Sequence, residues 1–273
     1  MALTEDTFIS HLVELRDRMM RALIAIAVAF AVLWFWPGFG VLYDFLALPL
    51  IQTLPPGSKM IATGVITPFL IPLKVGLMGA FLLVLPYVLY QAWAFVAPGL
   101  YAHEKKLVLP LVISSTVLFF CGVAFCYNIV FKQVFRFIAS FAPASITPAP
   151  DIEQYLSFVL TMFLAFGVAF EVPVAIIVLV RMGVVSIKQL RDFRGYFVVC
   201  ASIAAAVVTP PDVVSMLALL IPMCLLYEAG IIAASLVVSM KAPAEESASN
   251  SLTTDTAAEQ FAAVEKEQNS GNR

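Results

Sequence analysis

Two carboxylates and two histidines are the residues that could do chemistry in this chain. Glu171 and Glu228 lie within long apolar runs, Glu171 inside LAFGVAFEVPVAIIVLV (residues 164–180) with Pro173 two positions on. His11 and His103 lie in polar stretches. None of the four falls in a pattern that makes a catalyst: there is no HExxH helix, no GxSxG turn, no GxGD and no glycine loop to cradle phosphate. His103-Glu104-Lys105-Lys106 lacks the second histidine that a zinc helix needs. The cysteines, Cys121, Cys126, Cys200 and Cys224, sit in apolar runs without CxxC or Cys/His spacing, and read as buried packing residues. The expectation is a protein that is no enzyme and needs neither metal nor cofactor.

The carboxylates remain to be explained. An acid at the centre of a membrane span costs on the order of 2.5–3.5 kcal/mol on insertion scales. Glu171 is ten residues from Arg181 and Glu228 thirteen from Lys241, or ~15 and ~20 Å along a helix, which puts both near mid-membrane. Pro173 has no N–H for the carbonyl of Ala169 and clashes with it, so a kink is expected around Glu171. Broken backbone at this depth is tolerated when it is buried in protein or lines a wet cavity. Two readings fit: a protonated glutamate bonded to a neighbouring helix as glue, or an open polar notch that admits a polar partner. The notch leads for Glu171, the glue for Glu228. Pro86 and Pro222 are further candidates for kinks.

The elements that must position these groups follow from composition. Hydrophobic residues make up 62% of the 273 and charged residues 12%, about half the charge of a soluble domain. Mean hydropathy is +0.96, so lipid is the solvent for most of the chain. A bilayer core of about 30 Å needs about 20 apolar residues in a helix. Runs at about 22–36, 69–96, 107–138, 155–180, 196–208 and 213–239 predict an all-α integral membrane protein with six spans. The fifth, about 13 residues or ~20 Å, is short for the bilayer. Arg16, Arg18 and Arg21 precede the first span, Lys105 and Lys106 follow the second, and Arg181, Lys188, Arg191 and Arg194 follow the fourth. That asymmetry predicts cytoplasmic termini.

Smaller signals fill in the rest. Phe8, Leu12, Leu15 and Met19 line one face of residues 7–21, an amphipathic arm expected to lie on the cytoplasmic surface before the chain turns inward. Residues 1–21 are thus an arm, 22–240 a membrane domain and 241–273 a disordered tail. The outer loop 37–68 is apolar enough to be an ordered cap. Asp151-Ile152-Glu153-Gln154, Ser186-Ile187-Lys188-Gln189 and Thr209-Pro210-Pro211-Asp212 resemble helix starts, the last at the tip of a tight hairpin.

Six collinear stretches carry a resemblance: HLVELRDRM (11–19), FVAPGLYAHEKK (95–106), AFGVAFEVPV (165–174), LRDFRGY (190–196), TPPD (209–212) and IPMCLLYE (221–228). Together they resemble the TatC family, the multi-spanning receptor of twin-arginine protein export. The resemblance implies a cupped, six-span bundle with short fifth and sixth spans in the bacterial inner membrane. It implies partnership with TatA-like and TatB-like single-span subunits, self-association, and transport of folded proteins driven by the proton-motive force. It also implies that signal peptides bind Glu104 and Phe95, with Glu14 and Arg16 adjoining. A carboxylate suits this role because the arginine fork can engage it bidentately. For Glu14, an i,i+4 pair with Arg18 is the alternative.

The resemblance further marks Pro49, Pro86, Tyr127, Glu171 and Asp212 for shape, a polar recess and partner contact, with Thr209 able to contribute. Asp212 has helix capping as its alternative role. At Met216 the chain departs from the glutamine frequent in relatives. No nucleic-acid partner is expected. An ion-coupled transporter of small solutes is the alternative function, although the paired broken helices of such proteins are not visible here.

Overall fold

The structure, a computed structural model, describes residues 2–52, 60–96, 108–140, 149–209 and 213–236, with side chains from residue 9 and, in the third stretch, from 109. Every regular element among them is helical. The first helix, α1 (Ala2–Phe35), is continuous. The expected turn between a surface arm and the first span does not occur. No proline or glycine interrupts residues 2–35, so nothing breaks the hydrogen-bond ladder where the arm ends. The expected ordered cap within 37–68 is α2 (Phe39–Ile51), whose buried face is Phe39, Leu46, Ala47, Pro49 and Leu50.

The second apolar run forms α3 (Thr67–Leu83) and α4 (Leu85–Val96), bent by 60°. Pro86 is the second residue of α4, where its missing N–H and fixed φ suit a new helix start and not continuation of the old one. The third run is α5 (Val108–Phe125), a π turn at Cys126–Val130 and α6 (Phe131–Ser140). α6 buries Phe131, Val134 and Phe135 and leaves Lys132 and Arg136 exposed. The fourth is α7 (Ile152–Phe170) and α8 (Val172–Arg181), joined at Glu171. Then come α9 (Ile187–Asp192), α10 (Arg194–Val208) and α11 (Val213–Leu236).

These helices accommodate six crossings: four are long and apolar enough, α3 with α4 supplies a fifth, and α10 is a shorter apolar helix. α10 has 15 residues, about 22 Å, as expected of the fifth span. The sixth is not short: α11 runs for 24 residues, about 36 Å.

Local signals account for the starts and stops. Asp151 caps α7 by accepting from the N–H groups of Glu153 and Gln154 at 2.9 and 3.0 Å. Ser186 and Gln189 form a reciprocal capping box on α9. α8 stops at Gly183, whose φ of +69° suits glycine and lets the Val184 N–H close back on the Leu179 carbonyl at 3.1 Å.

The centre of the bundle is α5 against α7. A Cβ at Gly122 would lie 2.6 Å from the Phe166 carbonyl oxygen, and one at Gly167 would overlap the Phe119 ring. Small residues let helices approach where lipid supplies no hydrophobic drive to association. Around this contact Val75, Cys126, Phe131, Leu156, Met162 and Phe166 are fully buried. Two cysteines depart from expectation: Cys121 and Cys200 are exposed on their helices. An apolar run does not say which face turns inward when both faces are apolar.

Candidate functional site

Three of the four signal-peptide residues expected from the sequence, Glu14, Arg16 and Phe95, lie on α1 and α4 where these helices meet. His11 stacks on Phe95 with ring centroids 4.2 Å apart, and its Nδ1 lies 3.7 Å from Glu14 Oε2. Glu14 Oε1 accepts from Arg18 Nε at 2.9 Å and Nη2 at 2.6 Å. The guanidinium of Arg18 also reaches the buried Gln91 of α4, at 3.4 Å. The i,i+4 pair with Arg18 is therefore formed, and one oxygen of Glu14 is already occupied by an arginine. Arg16 instead pairs with Asp17 at 2.9 Å and is 69% exposed. The structure brings Glu14 and Phe95 into one cluster and leaves Arg16 on its rim. Glu104 lies outside the described residues.

The Glu171 site is built by four helices, α4, α5, α7 and α8. Glu171 ends α7 and precedes α8, where Pro173 occupies a first-turn position. Its two carboxyl oxygens are buried, and neither is in good hydrogen-bond geometry with a described donor. The Ser115 hydroxyl of α5 is the polar group that reaches toward it. Ser115 is fully buried and accepts from Trp93 Nε1 of α4 at 2.8 Å, an acceptor role that leaves its hydroxyl proton available. The carboxyl thus faces α5.

On the other side of the same break is a groove of about 580 Å³ between α3, α7, α8, α10 and α11, walled by Leu164, Val168, Val172, Ala204, Val208 and Met223. Glu171 is not part of that wall. The Glu171 carboxyl is buried beside α5 and does not open into this apolar groove. Helical spacing is the reason, since residues adjacent in sequence point about 100° apart.

Thr209, buried at the end of α10, donates its hydroxyl to the Ala205 carbonyl at 2.8 Å. It closes α10, and the donors it would cap at the start of the next helix fall in residues 210–212, outside the described residues. Asp212 lies outside the described residues. Tyr127 sits in the π turn, stacks on Phe45 at 4.8 Å and donates to the Phe45 carbonyl of α2 at 2.8 Å. Pro49 is buried near the end of α2, the element that Tyr127 holds.

Glu228 bonds to a neighbouring helix, as the glue reading expects, but through an arginine and not as a protonated acid on a neutral partner. It accepts from Arg194 Nη2 at 2.7 Å, and the two side chains are 41% and 50% exposed. Arg194 stands 15 residues before Thr209 and Glu228 stands 15 after Val213. Both are therefore ~22 Å from the tip of the hairpin, at one level.

Sequence reasoning overlooked His11 as a partner of Phe95, Ser115 and Trp93 as neighbours of Glu171, and Tyr155. The Tyr155 hydroxyl is buried and donates to the Leu46 carbonyl at 2.7 Å. The Tyr155 spacing held no signal. A histidine four residues before Leu15 on the apolar face of the arm was visible and could have been weighed.

Known proteins resemble this chain closely. A family model described as Sec-independent protein translocase protein (TatC) matches residues 10–222. The chain is 49% identical over 226 residues to a Sec-independent protein translocase protein TatC of Haemophilus influenzae, covering 83% of this chain and 88% of that one. The Escherichia coli K12 protein of the same name is 47% identical over 229 residues, with 83% and 88% covered. A crystal structure of the twin-arginine translocase receptor TatC superposes with a TM-score of 0.74 at 35% identity, covering 84% of this chain and 99% of that one. By its motifs, its helices and these relatives, the chain belongs to the TatC family of Sec-independent protein translocase proteins.

Proposed function

We propose that this protein is the receptor and core subunit of a twin-arginine export translocase in the bacterial inner membrane. In this reading both termini are cytoplasmic, with the arm 1–21 and tail 241–273 flanking the six-span domain 22–240. Signal peptides dock where α1 meets α4, on Glu104, Phe95 and Glu14, with Arg16 at the rim. TatA-like and TatB-like subunits assemble on the apolar groove behind Glu171 and on the hairpin that carries Thr209 and Asp212. The complex self-associates and moves folded cargo at the expense of the proton-motive force. Family membership carries the reading, together with an acid–aromatic cluster at the root of the Glu104 loop. The solute-transporter alternative finds no support among the relatives, which are translocase proteins.

The chemistry of docking is constrained by Arg18. One charge-assisted hydrogen bond contributes ~1.5–3 kcal/mol, and less when exposed. Glu14 already spends one oxygen on Arg18, so a signal arginine must share that carboxylate or rely on Glu104. The apolar segment of the signal then supplies the remaining affinity by burial against the bundle. Photo-crosslinking a twin-arginine peptide to membranes containing this protein tests the reading, beside a twin-lysine peptide and a Glu104→Ala variant. Crosslinks near Phe95 that vanish in both controls are expected. Equal labelling in all three would sink the receptor assignment.

A further inference from the structure

A second groove lies away from the surfaces discussed so far, between the first turns of α5 and the last turns of α8. It measures about 280 Å³ and is walled by Pro110, Leu111, Val174, Ile177 and Val178, with Arg181 at one end. Ser114 also borders it, but its hydroxyl proton is committed to the Leu111 carbonyl at 2.9 Å. The guanidinium is thus the donor that this apolar slot offers. Arg181 is half-buried and takes part in none of the ion pairs among the described residues.

Position and size restrict what can occupy the slot. Pro110 opens the span Leu109–Ser140 and Arg181 closes the span Ile152–Arg181, so the charged end stands at headgroup level and the slot descends from it. From Arg181 to Val174 is ~10 Å along α8, about two thirds of the ~15 Å of hydrocarbon in one leaflet. Dividing 280 Å³ by that depth leaves a cross-section of ~28 Å², against ~80 Å² for even a slender helix 10 Å across. A transmembrane helix does not fit; a single hydrocarbon chain does. An arginine at its mouth selects for phosphate, which its planar fork binds through two parallel hydrogen bonds. Free phosphate would leave its other oxygens against apolar walls, where unpaired polar groups are costly.

We propose that an anionic phospholipid seats its phosphate on the Arg181 guanidinium and threads one acyl chain into the slot between α5 and α8. The lipid covers the α5–α8 seam on the leaflet where the proposed signal-peptide loop enters the membrane, and it neutralises an arginine at the hydrocarbon edge.

Native mass spectrometry of the full chain, released from micelles doped with phosphatidylglycerol or phosphatidylcholine, tests this directly. One phosphatidylglycerol should stay bound, with about fivefold preference over phosphatidylcholine, the size expected of one basic contact at a membrane surface. Arg181→Gln should abolish the preference, and Ile177→Trp, which fills the slot, should lower retention of both lipids. Lys188→Gln, a nearby basic residue outside the slot, should change neither. Unfolding midpoints of all variants check that each is folded. Equal retention of the two lipids by the unaltered protein, or a preference that survives Arg181→Gln, would overturn the proposal. So would competition by millimolar inorganic phosphate, which would make the site one for free anions. Retention that appears only in Glu104→Gln would assign Arg181 to a loop carboxylate and overturn it as well.

Discussion

Adding one methyl group at Gly122 tests whether the α5–α7 seam holds the bundle together. A Cβ there would lie 2.6 Å from the Phe166 carbonyl oxygen, 2.9 Å from Cγ of Phe170 and 3.0 Å from the Phe166 carbonyl carbon. Two of these three neighbours are backbone, so no side-chain rotation relieves the clash and α7 must move. Overpacking of this kind costs about 1–3 kcal/mol, and the rigid obstacle argues for the upper end. Replacing glycine by alanine inside a helix returns about 1 kcal/mol. The net loss in Gly122→Ala is therefore ~2 kcal/mol, or a fall of roughly 4–8 °C in the unfolding midpoint for a chain of this size.

Cys126 offers the assay. It is fully buried one turn from Gly122, so its alkylation by a thiol dye during heating reports loss of the seam once the other three cysteines are changed to serine. Gly195→Ala is the control, because a Cβ at that site meets nothing within 4 Å. It should leave the midpoint unchanged or raise it slightly. If Gly122→Ala matched Gly195→Ala, the close approach of α5 and α7 would not be what holds the two helices, and the argument would fail.

Three further outcomes are expected. Tyr155→Phe removes a buried hydroxyl that donates to the Leu46 carbonyl and should cost about 1 kcal/mol; earlier proteolysis of the α2 cap on heating would reveal it. Asp151 is held below the ordinary carboxylate range by hydrogen bonds from the Thr63 hydroxyl and the Gln154 and Glu153 N–H groups. Its folded pKa is depressed, so its contribution is fully present above the usual aspartate value of about 3.9 and lost as the pH falls through the folded value. Acid titration of cap accessibility should show this loss in the unaltered protein and not in Asp151→Asn. Arg194 and Glu228, both half-exposed, should couple by about 1 kcal/mol or less in a double-mutant cycle on unfolding. A coupling near zero would make their 2.7 Å contact energetically idle.

Some elements could be read from the chain alone because they depend on neighbours in sequence. The caps of α7 and α9 are local hydrogen bonds made by Asp151, Ser186 and Gln189, and their spacing announces them. The break at Glu171 follows from Pro173, and the bend between α3 and α4 from Pro86. The short fifth span follows from residue counts. The π turn at Cys126–Val130 had no such signal. It has no proline or glycine to mark it, and its place is set by Tyr127 and Cys126 packing against α2 and α7.

The candidate site was legible in part. Motifs pointed to Phe95 and Glu14, and the structure joins them through His11 and Arg18, which sequence spacing alone could pair only with Glu14. At Glu171 the residue was evident and its direction was not. A one-residue step around a helix separates a carboxyl turned to Ser115 from a wall turned to the groove.

By itself the sequence determined the solvent, where the apolar helices lie, much of their punctuation and the family. Each of these is a sum over composition or a property of residues a few positions apart. Tertiary structure alone decided which faces are inward, why Glu228 meets Arg194, and where the Glu171 carboxyl points. In lipid the outward face of a helix is as apolar as the inward one, so the polar–apolar contrast that marks a buried face in water is missing. Helix orientation is then set by close approaches such as Gly122 against Phe166 and by a few polar contacts between distant segments, and those exist only once the helices are assembled.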